Sequence, residues 1–194
     1  MPTSSIPSAH RALLRDLHRF LRESDRLLAA WRAYSEEHTD LDGWPVDEDA
    51  YNRRATTRDA AVAESFEPLR EGGHHLLATA RSQLVLLPAG AVQSRWAWQL
   101  TGLQDALDRL DTLHEEWLTT RDGLPLNAGP GAPAFDKARA AHLSEAQAPL
   151  NEWATHGHAI REINKAARSA TSGFPPRPAA APARAGTRPQ PARR

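Results

Sequence analysis

Apolar residues recur every three or four positions along four long segments of the chain, and this spacing limits the fold more than any other feature. Successive residues of a helix turn by about 100°, so residues at this spacing share one face. The four segments cover about residues 7–38, 47–87, 91–121 and 133–170, and stretches rich in glycine and proline separate them. No segment shows the sustained apolar–polar alternation of a strand. The sequence therefore predicts an all-α protein.

The lengths of the segments and of their connections predict how the helices pack. Helices of about 30–40 residues would be about 45–60 Å long, and short connections favour antiparallel neighbours. We therefore expect residues 1–170 to form an up-down-up-down four-helix bundle whose faces interlock as in a coiled coil. Residues 171–194 are rich in proline, alanine and arginine and have almost nothing apolar to bury, so they are predicted to be a disordered tail.

A proline lies inside the second segment without disturbing its apolar spacing. Within a helix, proline removes one hydrogen bond and clashes with the preceding turn, at a cost of about 3 kcal/mol. The spacing of three or four nevertheless continues across Pro68 and across the Gly72–Gly73 pair. Because a true break would usually reset this phase, the sequence predicts one bent helix.

The surroundings of this proline recur later in the chain. RDAAVAESFEPLRE, residues 58–71, aligns with RAAHLSEAQAPLNE, residues 139–152, and places Pro68 opposite Pro149. The two DG-x-P turns, residues 42–45 and 122–125, also correspond. The matches predict two duplicated helical hairpins, at about residues 10–87 and 92–170, and coincidence in a chain rich in alanine, arginine and leucine is the alternative.

Composition excludes several classes of function. The chain has no cysteine, which removes disulfides, thiolate metal sites and cysteine nucleophiles. Neither a membrane-spanning apolar stretch nor a signal peptide is apparent, so we expect a cytoplasmic protein that does not bind membranes. Phosphate-binding loops and nucleophile elbows are also missing from the sequence. Glu71 and His74 have the Glu-x-x-His spacing of di-iron bundles, but Glu71 points away from the core. We therefore expect no catalytic residue, metal or cofactor.

Charged residues at core-facing positions are the candidates for a binding site. Arg58 and Arg139 occupy corresponding positions in the two repeats, and His114 lies on the core-facing side of the third segment. Counting along antiparallel helices places Arg58 near Trp31, and Arg139 near His114 and Trp117. Either the arginines stack on the aromatic rings as structural clamps, paired with an acid such as Asp25 or Asp111, or they form an anion site.

The remaining candidates lie on the predicted surface. Trp98 falls away from the core-facing side of its helix and Trp44 lies in a turn, so both are candidate contacts for a protein partner. The tail carries +5 through Arg177, Arg184, Arg188, Arg193 and Arg194, whereas the rest of the chain carries −5. These arginines are candidate contacts to nucleic-acid phosphates.

These candidates lead to three functional expectations. The first is a non-enzymatic scaffold or adaptor that binds another protein or a second copy of itself. The second is a helical bundle that binds a small ligand or anion at Arg58, Arg139 and His114. The third is a nucleic-acid-associated accessory protein that uses its arginine-rich tail.

Overall fold

A computed structural model describes residues 8–172, and nearly all of them are helical. The α-helices are α1 (Ser8–His38), α2 (Glu48–Arg70), α3 (Gly73–Leu86), α4 (Arg95–Asp122), α5 (Pro133–His156) and α6 (His158–Ser172). A single 3₁₀ turn, Ala89–Ala91, lies between α3 and α4. The described residues form no strand beyond one isolated bridge between Thr39 and Pro45. The prediction of an all-α protein is confirmed over this range.

The apolar face of each helix enters one continuous core. Its largest fully buried side chains come from α1 to α5, and α6 contributes Ile160 and Ile163. Phe66 of α2 lies at its centre, with its ring centroid 5.1 Å from that of Phe20 in α1 and 5.3 Å from that of Trp153 in α5, both edge-on. Edge-to-face rings at this separation attract one another beyond their burial. These three aromatic residues therefore join α1, α2 and α5.

The helices pack in a recurring set of pairs. α1 packs against α2, and α4 packs against α5. α1 also contacts α3, and α4 contacts α6. Between these groups, α2 packs on α5 and α3 packs on α6. Exchanging α1, α2 and α3 for α4, α5 and α6 therefore reproduces these six pairings.

The second segment is not one uninterrupted helix, which corrects the prediction. Pro68 lies inside α2, and the interruption follows it at Glu71–Gly72. There the Gly72 N–H donates to Leu69 O, three residues earlier, instead of to Pro68 O, the acceptor four residues earlier that a regular α-helix would use. Glu71 and Gly72 keep right-handed helical backbone angles, so the chain direction is retained. The fourth segment is also interrupted, at Gly157 between α5 and α6, although the Gly157 N–H keeps the ordinary helical bond to Trp153 O.

Close helix packing explains why glycines occupy these interruptions. A Cβ atom at Gly72 would overlap Leu13 Cδ2 of α1, and one at Gly73 would lie 2.8 Å from Leu107 Cδ2 of α4. At Gly157 a Cβ atom would lie 2.6 Å from the Trp153 carbonyl oxygen. Only glycine allows neighbours to approach this closely without a shift.

The two DG-x-P turns, which the repeat alignment treats as equivalent, have different backbones. In the first, Gly43 adopts φ +84°, and Asp40 Oδ1 accepts hydrogen bonds from the Asp42 and Trp44 N–H groups. In the second, Gly123 has φ −82° and its N–H donates to Thr119 O, which makes it the C-cap of α4. The shared sequence therefore does not fix a shared turn, because Asp40 has no counterpart that holds the second one.

The ends of the described range bear on two expectations. Helix α6 continues to Ser172, two residues past the expected end of the bundle at residue 170. The five tail arginines, Arg177, Arg184, Arg188, Arg193 and Arg194, lie outside the described residues. Within residues 8–172, none of the helices combines the length and the apolar character that crossing a membrane requires.

Candidate functional site

Arg58 stacks on the indole of Trp31 between α1 and α2. The guanidinium carbon lies 4.2 Å from the centroid of the Trp31 ring. Its Nε donates to Asp59 Oδ1 at 2.7 Å, and the two side chains form an ion pair. The acidic partner is thus Asp59 and not Asp25. The Arg58 side chain is 21% exposed, so its stem is covered while the charged end lies at the rim.

Aromatic rings surround this arginine. Trp31, Tyr34 and Tyr51 lie within 6.0 Å of one another by ring centroid, and Arg54 lies 5.6 Å from the centre of the Tyr34 ring. The hollow beside Trp31 and Arg58 measures about 130 Å³. Ligand sites usually measure about 300–1,000 Å³. The arrangement therefore fits a structural clamp between two helices better than a ligand site.

The second repeat does not reproduce this clamp. Arg139 is exposed, which corrects its expected core-facing position. Trp117 contacts His142 and Phe135 instead, each at a ring-centroid separation of 5.5 Å. The residue that corresponds to Trp31 is His114, which offers no indole on which Arg139 could stack. His114 and Arg139 both lower the pKa of His142, so they lie near the same ring, whereas Arg58 is paired with Trp31 and Asp59. The two-arginine anion site stays a prediction.

His114 is half-buried and lies near two groups whose protonation it influences. The pKa of His142 is lowered, first by burial and then by the positive potential of His114. The pKa of Glu67 is also lowered, chiefly by its hydrogen bond from Arg70 and to a smaller extent by His114. Arg70 Nη2 lies 2.6 Å from Glu67 Oε1. These interactions connect α2, α4 and α5.

His74 of the Glu-x-x-His pattern contacts a carboxylate on another helix. His74 Nε2 lies 2.9 Å from Asp111 Oδ2, and Gln104 Nε2 lies 3.1 Å from His74 Nδ1. His74 is half exposed. Within the described part of the chain, no three histidine, aspartate or glutamate side chains lie close enough together to hold a metal ion.

Trp98 projects from the outer side of α4 and is 55% exposed. Its ring meets the His156 ring edge-on at 4.9 Å. The His156 ring is held in turn by Gln99, whose Nε2 lies 3.2 Å from His156 Nδ1, and by Glu152, whose Oε1 lies 3.6 Å from His156 Nε2. An exposed indole is therefore supported from below by fixed polar groups on α4 and α5.

Trp44, the other surface tryptophan, is in a different setting. It is 71% exposed and lies in the turn between α1 and α2, beside the exposed Leu41 and Val46. Its N–H donates to Asp40 Oδ1, which holds the backbone of the turn, but no ring contact comparable to that of Trp98 supports its side chain.

A basic groove between α1 and α6 was missed at the sequence level. It measures about 420 Å³, and its lining residues are Leu14, His158, Arg161, Glu162, Asn164 and Lys165. His158, Arg161 and Lys165 follow one another at spacings of three and four, which places them on one side of α6. That spacing was readable from the sequence, but the pairing of α1 with α6 was not.

Comparison of the chain with known protein families, with curated proteins and with solved structures found no match.

Proposed function

We propose that the protein is a non-enzymatic helical scaffold that binds a protein partner through the surface around Trp98. The observation that carries this proposal is the exposure of Trp98, at 55%, on a long helix. Tryptophan is enriched among the residues that dominate binding energy at protein interfaces. It supplies a large contact area and loses little conformational entropy, since it has only two side-chain torsions.

The surroundings of Trp98 resemble the polar rim of such an interface. Gln99 and Glu152 fix the His156 ring on which Trp98 rests. Thr101, one turn further along α4, is small and exposed, and the Glu152 carboxylate lies against Gly102 beside it. A rigid indole with small and polar neighbours is the arrangement in which a central anchor can be shielded from water.

The area that Trp98 can still bury gives the expected binding contribution. A tryptophan buries roughly 250 Å² at most, so with 55% of it exposed about 140 Å² remains to be covered. At about 25 cal/mol per Å² this corresponds to at most about 3.5 kcal/mol, or about 400-fold in the dissociation constant.

The test begins with affinity purification of the full chain and identification of the captured proteins by mass spectrometry. Binding of the purified partner is then measured for the wild type, Trp98→Ala and Trp44→Ala. Trp44→Ala is the matched control, because it removes an indole that is more exposed, at 71% against 55%, from another part of the molecule. We expect Trp98→Ala to weaken binding about 100-fold and Trp44→Ala to change it less than about twofold.

Two outcomes would contradict this proposal. In one, the chain is monomeric by light scattering and captures no partner whose binding can be reproduced with purified proteins. In the other, a partner binds Trp98→Ala as tightly as the wild type. A dimer that dissociates on Trp98→Ala substitution would identify the partner as a second copy of the chain.

We further propose that the scaffold is an antiparallel four-helix bundle of two duplicated hairpins, residues 10–87 and 92–170. Contacts between α1 and the α2–α3 pair support opposite chain directions, since Trp31 meets Arg58, Phe20 meets Phe66 and His10 meets His75. Aromatic contacts at corresponding positions support duplication: Tyr34 meets Arg54 in one half, and Trp117 meets Phe135 in the other. A solved structure in which the halves fail to superpose, with Pro68 away from Pro149, would reject the duplication.

A further inference from the structure

We propose that the groove between α1 and α6 binds a small anion that carries a phosphate monoester. Its volume of about 420 Å³ falls within the usual range for small-molecule sites. It is separate from the Trp98 surface, and its assignment does not depend on the proposed scaffold function.

Within the described residues, two unpaired cations of α6 line this groove, and an unpaired arginine lies on the neighbouring α1. Arg161 and Lys165 of α6 line it, and neither forms an ion pair with any residue from 8 to 172. Arg22 of α1 is exposed and is likewise unpaired within that range. The groove therefore holds positive charge that the described part of the protein does not neutralise.

The positive charges of Arg161, Arg22 and His158 all act on the His18 side chain. Its pKa is lowered chiefly by the positive potential of Arg161, and further by burial, Arg22 and His158. Arg161 and His158 belong to α6, whereas His18 and Arg22 belong to α1. Arg161 and His158 line the groove, so their positive potential extends from the groove to α1, although the chain outside its tail is acidic overall. A local positive field of this kind attracts an anion.

The one acidic residue that lines the groove is already neutralised. Glu162 Oε2 accepts hydrogen bonds from Arg95 Nη2 and from Trp96 Nε1, each at 2.8 Å. These donors lower the pKa of Glu162, so it stays ionised and paired near neutral pH. An arriving anion is consequently not opposed by a free carboxylate at this position.

The remaining lining groups suit a phosphate attached to a small organic body. Asn164 is 8% exposed, and its Oδ1 accepts from Gln83 Nε2 at 3.2 Å, which leaves Nδ2 as the donor of that side chain. Leu14 adds an apolar wall. An arginine can grip phosphate oxygens with two parallel N–H groups, and a lysine adds a point charge. A phosphate monoester carries nearly two negative charges at neutral pH, which matches several converging cations better than a single carboxylate does.

The test uses the full chain in phosphate-free buffer of about 0.15 M ionic strength, with glycerol 3-phosphate as the probe and glycerol as the uncharged comparator. Isothermal titration calorimetry measures binding, and NMR follows the His18 ring. We expect saturable binding of glycerol 3-phosphate alone, and a rise in the pKa of His18, because a bound anion offsets the positive potential of Arg161.

Matched charge-removing variants locate the site. Arg161→Gln and Lys165→Gln should each weaken binding about tenfold. Arg32→Gln removes the same charge from an exposed position on α1, ten residues beyond Arg22 and so about 15 Å further along the helix. It should change binding less than about twofold, because charges at this distance are largely screened. Lys165 is exposed, so its replacement tests the site even if Arg161→Gln does not fold.

A second arm separates two sources of the phosphate monoester. Vesicles that contain phosphatidic acid present this group on a lipid, whereas glycerol 3-phosphate presents it in solution. Binding to either that is lost in Arg161→Gln or Lys165→Gln supports the site and identifies the source. The proposal is overturned if neither probe binds saturably, or if Arg32→Gln weakens binding as much as the groove variants do.

Discussion

Gly157→Ala is the substitution whose effect the structure specifies most sharply. In helix interiors alanine is more favourable than glycine by about 1 kcal/mol, and Gly157 has backbone angles of φ −58° and ψ −22° that alanine adopts freely. Helix propensity alone therefore predicts a more stable protein. Packing predicts the opposite, since the new Cβ atom would lie 2.6 Å from Trp153 O and 3.2 Å from Leu21 Cδ2.

The packing penalty should exceed the gain in propensity. The Trp153 carbonyl cannot rotate away as a side chain would, because it accepts the Gly157 N–H at 2.9 Å. Leu17 and Leu21, the next nearest neighbours, are 0% and 1% exposed and have no free space to enter. Overpacking a filled core costs about 1–3 kcal/mol. Because the new Cβ atom would meet fixed backbone, the upper part of this range, about 2–3 kcal/mol, applies. Subtracting the propensity gain leaves a net loss of about 1–2 kcal/mol, or about 3–6 °C in Tm for a domain of this size.

Urea unfolding followed by far-UV circular dichroism measures this difference. Gly90→Ala is the matched control, because a Cβ atom at Gly90 would meet nothing within 4 Å. We expect Gly90→Ala to unfold within about 0.5 kcal/mol of the wild type and Gly157→Ala at a clearly lower urea concentration. If Gly157→Ala proved as stable as Gly90→Ala, the close contacts of Gly157 with Trp153 O and with Leu21 of α1 would be contradicted.

Two further predictions concern buried polar groups. Glu162→Ala should destabilise the protein by about 1–3 kcal/mol, because it leaves the Trp96 indole N–H buried without an acceptor. Glu162→Gln keeps an acceptor oxygen and should lower the free energy of unfolding clearly less. Equal losses of stability in urea unfolding would contradict this. Burial lowers the pKa of His10 and His142 in the folded state, so folding favours their neutral forms. Their contribution to the free energy of unfolding is therefore complete above about pH 6.5 and falls as the pH drops through that value. Unfolding measured at about pH 7.5 and pH 5.5 should show this loss, and His10→Leu should reduce it; an unchanged loss would count against the burial of His10.

The sequence predicted the helices well because each depends on a local pattern. The 3.6-residue period defines which side chains enter the core, and Leu17, Phe66 and Leu150 are all buried as that period requires. Counting along neighbouring helices also placed Arg58 beside Trp31. This step succeeds where the aromatic partner is present in the sequence and the two helices lie close together.

The same counting failed where it relied on the repeat. Arg139 corresponds to Arg58 in the alignment, but the residue facing its level is His114 instead of a tryptophan, and Arg139 is exposed. The helix interruption at Gly72 was also not predicted. Its position depends on the close approach of Leu13 and Leu107 to the glycine pair, and these are contacts between helices. The α1–α6 groove was missed for the same reason. A single sequence records periodicity but not which helices become neighbours.

Glu162 connects the two surfaces proposed to bind ligands and also explains why they should act independently. Its carboxylate is held by Arg95 and Trp96, which lie within one turn of Trp98 on α4, while its own helix supplies Arg161 and Lys165 to the groove. Because both of its donors come from α4, the carboxylate is fixed before either ligand arrives. Trp98→Ala should therefore leave glycerol 3-phosphate binding unchanged, and Lys165→Gln should leave partner binding unchanged. If either variant impaired both, the two surfaces would be parts of one site that spans α4, α6 and α1.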